Sequence, residues 1–237
     1  MLDVLLGLSL PGGGKGCLST LIFHRVTPTP DPLFPGEVHA AAFDEVCRWL
    51  RSSFNVLSLA DAVQRLRHGE LPARALSITF DDGYADNHDV ALPILQRYGL
   101  PATCFVATGF LDGGCMWNDR VIEAVRLCRH DTLPGIDDLL PGPPPSLRDH
   151  AARRRVIDSL LQALKYLPID QRLARTDALV AAAGVTLPHD LMMSTPQVAA
   201  LARAGITIGG HTVNHPILAR MGDEAAYREI VTGRKVL

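Results

Sequence analysis

No stretch of this chain approaches the run of about 20 apolar residues that a membrane-spanning helix needs. Neither sign of charge is in excess: 23 Lys and Arg stand against 25 Asp and Glu, a formal net charge of −2. That balance gives no reason to expect a nucleic-acid partner. No Cys-x-x-Cys pair occurs, and the cysteines (Cys17, Cys47, Cys104, Cys115 and Cys128) are odd in number. Reduced thiols are therefore expected, rather than a disulfide frame or a structural zinc site. Against these absences, 47% of the residues are apolar, which excludes a globally disordered chain. A length of 237 residues is enough to bury a sizeable core.

The stretch 1–17 reads as a separate N-terminal segment. Leu2 to Leu10 is short and apolar, like a signal-peptide core, but it has no basic flank, contains Asp3 and meets no small-residue cleavage site. A local apolar segment and a cytoplasmic chain are expected on that ground. Pro11 to Gly16 is a glycine-rich connector that lacks the Gly-x-x-x-x-Gly-Lys-Ser/Thr spacing of a phosphate loop and precedes a strand rather than a helix.

From Leu18 onward, strand and helix signals alternate. Leu18 to Phe23 and Ala75 to Phe80 are apolar, β-branched runs, and Pro101 to Ala107 is another. Between them Phe43, Val46, Cys47 and Leu50 recur at helical spacing, and Ser58 with Asp61 opens a helix that Gly69 ends. A further helix runs from His88 to Tyr98, stopped by Gly99. This alternation predicts an α/β fold with parallel strands and crossover helices, in which chemistry gathers at the C-terminal strand ends. From about 111 to 193 the alternation breaks, predicting a helical insertion between strands. Within it, Pro134 to Pro145 is a loop, Val156 to Leu164 an amphipathic helix, and Arg153-Arg154-Arg155 a solvated helix face. Thr195 caps the next helix, with Pro196 at its first position.

Two stretches carry chemistry. The strand ending at Phe80 runs into Asp81-Asp82-Gly83-Tyr84, and adjacent carboxylates repel unless something positive sits beside them. A metal ion answers that need, and Asp supplies hard oxygen ligands. Far downstream, His211-Thr212-Val213-Asn214-His215-Pro216 follows a short apolar run. Taken by itself, a pair of histidines four apart is more often two hydrogen-bonded side chains. With the Asp-Asp-Gly stretch it becomes a three-ligand set that leaves positions open for water and substrate. Thr212 and Asn214 are placed to hold the loop between the two histidines. His24 ends the first strand, and either lines the site mouth or is a hydrogen-bonded core histidine. Tyr84 and Trp117 suit stacking on a sugar ring and suit packing at the rim equally.

Thr79-Phe80-Asp81-Asp82-Gly83 and His211-Thr212-Val213-Asn214-His215-Pro216 resemble the first two motifs of the polysaccharide deacetylase family (the NodB homology domain, carbohydrate esterase family 4). Leu21 to Val26 resembles the first strand of its bacterial branch. The resemblance covers about residues 18–237. It implies an incomplete, distorted (β/α) barrel and a metal-dependent hydrolase that removes acetyl groups from N-acetylated oligo- or polysaccharides. It implies Asp82, His211 and His215 as ligands of one divalent metal, and two nitrogens with one oxygen suit Zn2+. Asp81, beside the ligand set, is the candidate general base or else caps the turn at Gly83, and Tyr84 and His24 are the candidates to line the substrate site. A small-molecule amidase of the same superfamily is the alternative substrate class. The family's later Arg-x-Pro-aromatic and Leu-x-His motifs do not occur after His215. A weakly active or inactive metal- and glycan-binding relative is therefore a further expectation. An open sheet edge prone to self-association is expected as well.

Overall fold

The computed structural model describes residues 16–237 except 135, 137, 138 and 141, so most of the expected N-terminal segment lies outside the described residues. In chain order the elements begin with β1 (Leu18–Phe23), α1 (Ala40–Ser53), β2 (Asn55–Val56), α2 (Leu59–His68), β3 (Ala75–Phe80), α3 (Leu92–Tyr98) and β4 (Thr103–Val106). They continue with α4 (Trp117–Leu127), α5 (His150–Leu164), α6 (Ile169–Ala183), α7 (Thr195–Arg203), β5 (Thr207–Gly210) and α8 (Asp223–Val236). No helix among the described residues is long and apolar enough to cross a membrane.

The chain forms two compact units. The first comprises the residues up to Pro30, Glu37–Asp112 and Met192–Leu237, and it carries the sheet. All strand pairings among the described residues are parallel, in the order β1-β3-β4-β5 with β2 also on β3, as in an incomplete, distorted (β/α) barrel. Every residue of β3 is buried, as expected of a central strand covered on both faces, and this explains its unbroken apolar run. β1 lies along the whole of β3, from Leu18↔Ala75 to Phe23↔Phe80. The short β2 pairs with the start of β3 and β4 with its end, so these two share the other flank. α1 buries Phe43, Cys47 and Leu50 against this sheet, with the rings of Phe23, Phe43 and Phe80 mutually 5.2, 5.6 and 5.9 Å apart.

The backbone ladders continue past the strand ends. The Asp81 N–H donates to Phe23 O at 2.9 Å, the Ala107 N–H to Asp82 O at 3.0 Å and the His211 N–H to Val106 O at 2.9 Å. The two motif stretches are thereby delivered to the same, C-terminal edge of the sheet.

Helix ends follow the sequence with two differences. Ser58 Oγ accepts from the Asp61 N–H at 3.2 Å, and Gly69 and Gly99 close their helices in the left-handed conformation. The helix expected from His88 begins instead with a π-helical turn, Asn87–Ala91, in which buried Asn87 donates through Nδ2 to His24 O at 2.9 Å. Ser194, not Thr195, caps α7, in a reciprocal box with Gln197. Thr195 is engaged elsewhere, its hydroxyl donating to Asp112 Oδ2 at 2.7 Å.

The second unit comprises Asp31–Gly36 and Gly113–Leu191 and packs α4, α5 and α6 around Leu33, Val121, Val125, Ile157, Leu160 and Leu164. Asp31 belongs to it because the Arg126 guanidinium grips both its carboxylate oxygens, at 3.0 and 2.7 Å. Burial works to raise the Asp31 pKa. The Arg126 hydrogen bond and charge, with the Leu33 and Phe34 N–H groups, overcome it and hold the carboxyl below its ordinary value. The arginine run is not simply a solvated face. Arg153 donates to Val125 O, to Arg126 O at 3.3 Å and to Cys128 O at 2.9 Å, satisfying the carbonyls that end α4. Arg154 lies 4.3 Å over the Phe34 ring.

Candidate metal centre

Asp82 leaves β3 in the left-handed region, φ 77°, followed by Gly83 at φ 89°. A Cβ on Gly83 would come within 3.0 Å of Val106 Cγ1, so the turn needs glycine for space as well as for conformation. The Asp82 side chain is buried. His211 Nε2 lies 3.4 Å and His215 Nε2 3.3 Å from Asp82 Oδ1, and one ligand atom from each of the three residues lies within 4.8 Å of the others. Donors bound tetrahedrally at about 2.1 Å from one ion stand about 3.4 Å apart. Asp82 Oδ1 is also buried, with no hydrogen-bond partner among the described residues, although both imidazoles are near it. The imidazoles thus do not meet it as aligned N–H donors, and a buried carboxylate oxygen left in that state is destabilising unless a cation completes it. The residues fit a divalent ion.

The charge around the strand ends agrees. Cys104 on β4 has its thiol pushed up to about 12, by burial first and then by the negative charges of Asp81 and Asp82. The two histidines line a cleft of about 410 Å³ with Pro216, Leu218, Ile230 and Arg234.

The histidine loop is held closely. A Cβ on Gly209 would meet Phe105 Cδ1 at 2.5 Å, and one on Gly109 would meet Val213 O at 2.7 Å, so backbone and ring approach there only because both are glycine. Thr212 (φ 66°) and His215 (φ 49°) are both left-handed. Thr212 Oγ1 accepts from the His215 N–H at 3.1 Å, which is the loop-holding role expected of it. Asn214 donates through Nδ2 to Glu229 Oε1 at 2.8 Å. Glu229, on α8, is one of two residues that sequence reasoning missed. Its only signal is an acid on a helix that also carries Asp223 and Glu224, with nothing to single it out.

The remaining site residues are placed as follows. Asp81 is half-buried, directly before Asp82 and outside the three-residue cluster. His24 is exposed just past the end of β1. Tyr84 is 4% exposed with the Arg25 guanidinium 4.9 Å over its ring, so it offers no open platform to a sugar here. Trp117 belongs to the second unit, where Arg172 lies 4.7 Å over its ring. Asp86 was also missed: it accepts from Arg25 Nε at 2.8 Å and from the Val26 N–H at 3.1 Å, tying the end of β1 to the segment after the Asp-Asp-Gly turn.

Residues 68–130, which include Asp81 and Asp82, match the family model for polysaccharide deacetylase. This segment is similar to the polysaccharide deacetylase family. Among its relatives, YxkH of Bacillus subtilis (strain 168) is 36% identical over 91 residues, 38% of this chain and 31% of that protein. The poly-beta-1,6-N-acetyl-D-glucosamine N-deacetylase of Staphylococcus aureus (strain N315) is 34% identical over 73 residues, 30% of this chain and 25% of that enzyme. The matched stretch therefore spans a third or less of either relative. Among solved structures, the Streptococcus pyogenes deacetylase PplD, in complex with acetate, shares the fold with a TM-score of 0.55 at 18% identity, covering 93% of this chain and 67% of that one.

Proposed function

We propose that this chain is a metal-dependent hydrolase that removes acetyl groups from N-acetylated sugars of a polysaccharide. Asp82, His211 and His215 hold one divalent ion. A set of two nitrogens and one oxygen suits zinc, with coordination positions left for water and substrate. The observation that carries this reading is the buried, unpartnered Oδ1 of Asp82 with two imidazole nitrogens 3.3 and 3.4 Å away. When bound, such an ion supplies Lewis acidity, activating a water and taking up charge on the acetamide oxygen. Asp81, beside the ligand set, accepts the proton of the attacking water. Water adds at the acetyl carbon, the proton taken up by Asp81 passes to the leaving nitrogen as the carbon–nitrogen bond breaks, and acetate and a free amino sugar result. The cleft beside the two histidines gives the substrate its approach.

The N-deacetylase name of the S. aureus relative makes β-1,6-linked N-acetylglucosamine oligomers the first substrates to try. Acetate release should stop with a chelator and return with Zn2+. Release that is indifferent to chelation, or that survives Asp82→Ala, would end the proposal. Acetate released from small acetamides but from no N-acetylated oligosaccharide would move the substrate class to the amidase reading.

A further inference from the structure

We infer that Glu229 is the positioning residue of the metal centre: from α8 its carboxylate clamps the Thr212–His215 loop in the conformation that brings both imidazoles to Asp82. The inference rests on the metal reading above and concerns what keeps that site in shape. Glu229 Oε2 accepts from two successive backbone N–H groups, Val213 at 2.9 Å and Asn214 at 2.8 Å, while Oε1 accepts from Asn214 Nδ2 at 2.8 Å. Three donors converge on one half-buried carboxylate, an arrangement of charge-assisted bonds stronger than neutral ones. The bonded residues lie between the two ligands and between two strained positions, Thr212 and His215, both non-glycine and left-handed. A loop under that strain relaxes when its restraint is removed, and relaxation here swings His215 relative to His211.

The helix is built to reach the loop. Gly233 follows Glu229 by four residues, on the same face of α8. A Cβ there would lie 3.0 Å from the Thr212 carbonyl carbon and 3.0 Å from its oxygen. Glycine at 233 sets the helix against the loop backbone, and Glu229 hydrogen-bonds it one turn away. Neither residue touches the proposed ion, so Glu229 acts through the histidines.

The test is metal affinity of the full chain, read by competition with a chromogenic chelator using Zn2+, together with thermal unfolding in metal-free buffer. The titration is run well below the transition of every metal-free variant. Glu229→Ala should weaken Zn2+ binding about 10–100-fold, the range found when the shell supporting metal ligands is removed. Glu229→Gln should recover most of that loss: its amide oxygen accepts the two backbone N–H groups, and Asn214 turns its own amide to receive the new NH2. Glu224→Ala, on the same helix but bonded to Arg228, should bind as the wild type does. Wild-type affinity in Glu229→Ala, or an equal loss in Glu224→Ala, overturns the clamp while leaving the metal reading standing. A wild-type chain that takes up no divalent ion overturns both.

Discussion

Replacing Gly233 by alanine should destabilise the first unit, against the usual effect of that exchange inside a helix. Alanine in a helix interior is ordinarily better than glycine by about 1 kcal/mol. At 233 the new methyl would lie 3.0 Å from Thr212 C, 3.0 Å from its O and 3.5 Å from its Cα. All three are backbone atoms, and Thr212 is held by the Thr108 N–H donating to its carbonyl at 3.1 Å and by its own bond to the His215 N–H. The loop has little freedom to yield, so α8 must shift instead. Overpacking by one methyl in such a place costs about 1–3 kcal/mol. The net loss is about 1 kcal/mol, which lowers Tm by about 2–4 °C in a chain of this size. Thermal unfolding with and without Zn2+ reads the result, and Zn2+ affinity should fall as well, because a shifted α8 moves Glu229 away from the histidine loop it holds. A Tm raised by about 2 °C or more, the ordinary glycine-to-alanine gain, would refute the close approach of α8 to Thr212.

The metal itself should stabilise the fold. Zn2+ at 100 times its dissociation constant adds about 2.7 kcal/mol, a rise of about 5–11 °C, and Asp82→Ala should abolish that rise in a melting experiment. Asp81→Asn should lower acetate release about 10²–10⁴-fold with Zn2+ affinity unchanged; turnover at the wild-type rate would place the base elsewhere. The depressed pKa of Asp31 contributes stability that is present above the ordinary carboxyl value of 3.8 and is lost as pH falls through the lower folded value. Asp31→Asn should therefore be less stable than wild type in denaturant at pH 6, with the deficit narrowing as pH falls below 3.8, and a deficit that does not narrow would deny the Arg126 pairing its role.

What could be read from the sequence was what is local. β3 was legible because a strand buried on both faces needs an unbroken apolar run, and its end was legible because two carboxylates and a glycine follow at once. The histidine spacing was legible for the same reason. Glu229 was not, because its partners are backbone N–H groups that every residue has; only the packing of α8 on the loop selects one acid among three on that helix. Arg153 was misread as solvated because it bonds the last carbonyls of α4, and carbonyls leave no mark in sequence. Asp31–Gly36 holds two prolines and no local signal of where it packs. It joins the second unit through a pairing with Arg126, 95 residues away. Tyr84 beside the aspartates suited sugar stacking and rim packing equally, and its burial under the Arg25 guanidinium favours packing.

The distribution of strain explains why this site is built from backbone as much as from ligands. Five non-glycine described residues adopt positive φ, and Asp82, Thr212 and His215 are three of them. Each such residue is destabilising by about 1–3 kcal/mol on its own and persists only where its surroundings fix it. Here the fixing bonds are visible: the Ala107 N–H holds Asp82 O, the Thr108 N–H holds Thr212 O, and the Thr212 hydroxyl holds the His215 N–H. Two of these donors follow β4 directly, so a strand that contributes no ligand sets the conformation of two residues of the site. The ligand geometry is consequently in place in the chain alone. An ion binding there would have little loop ordering to offset, and its binding free energy would appear as affinity and as stability of the first unit.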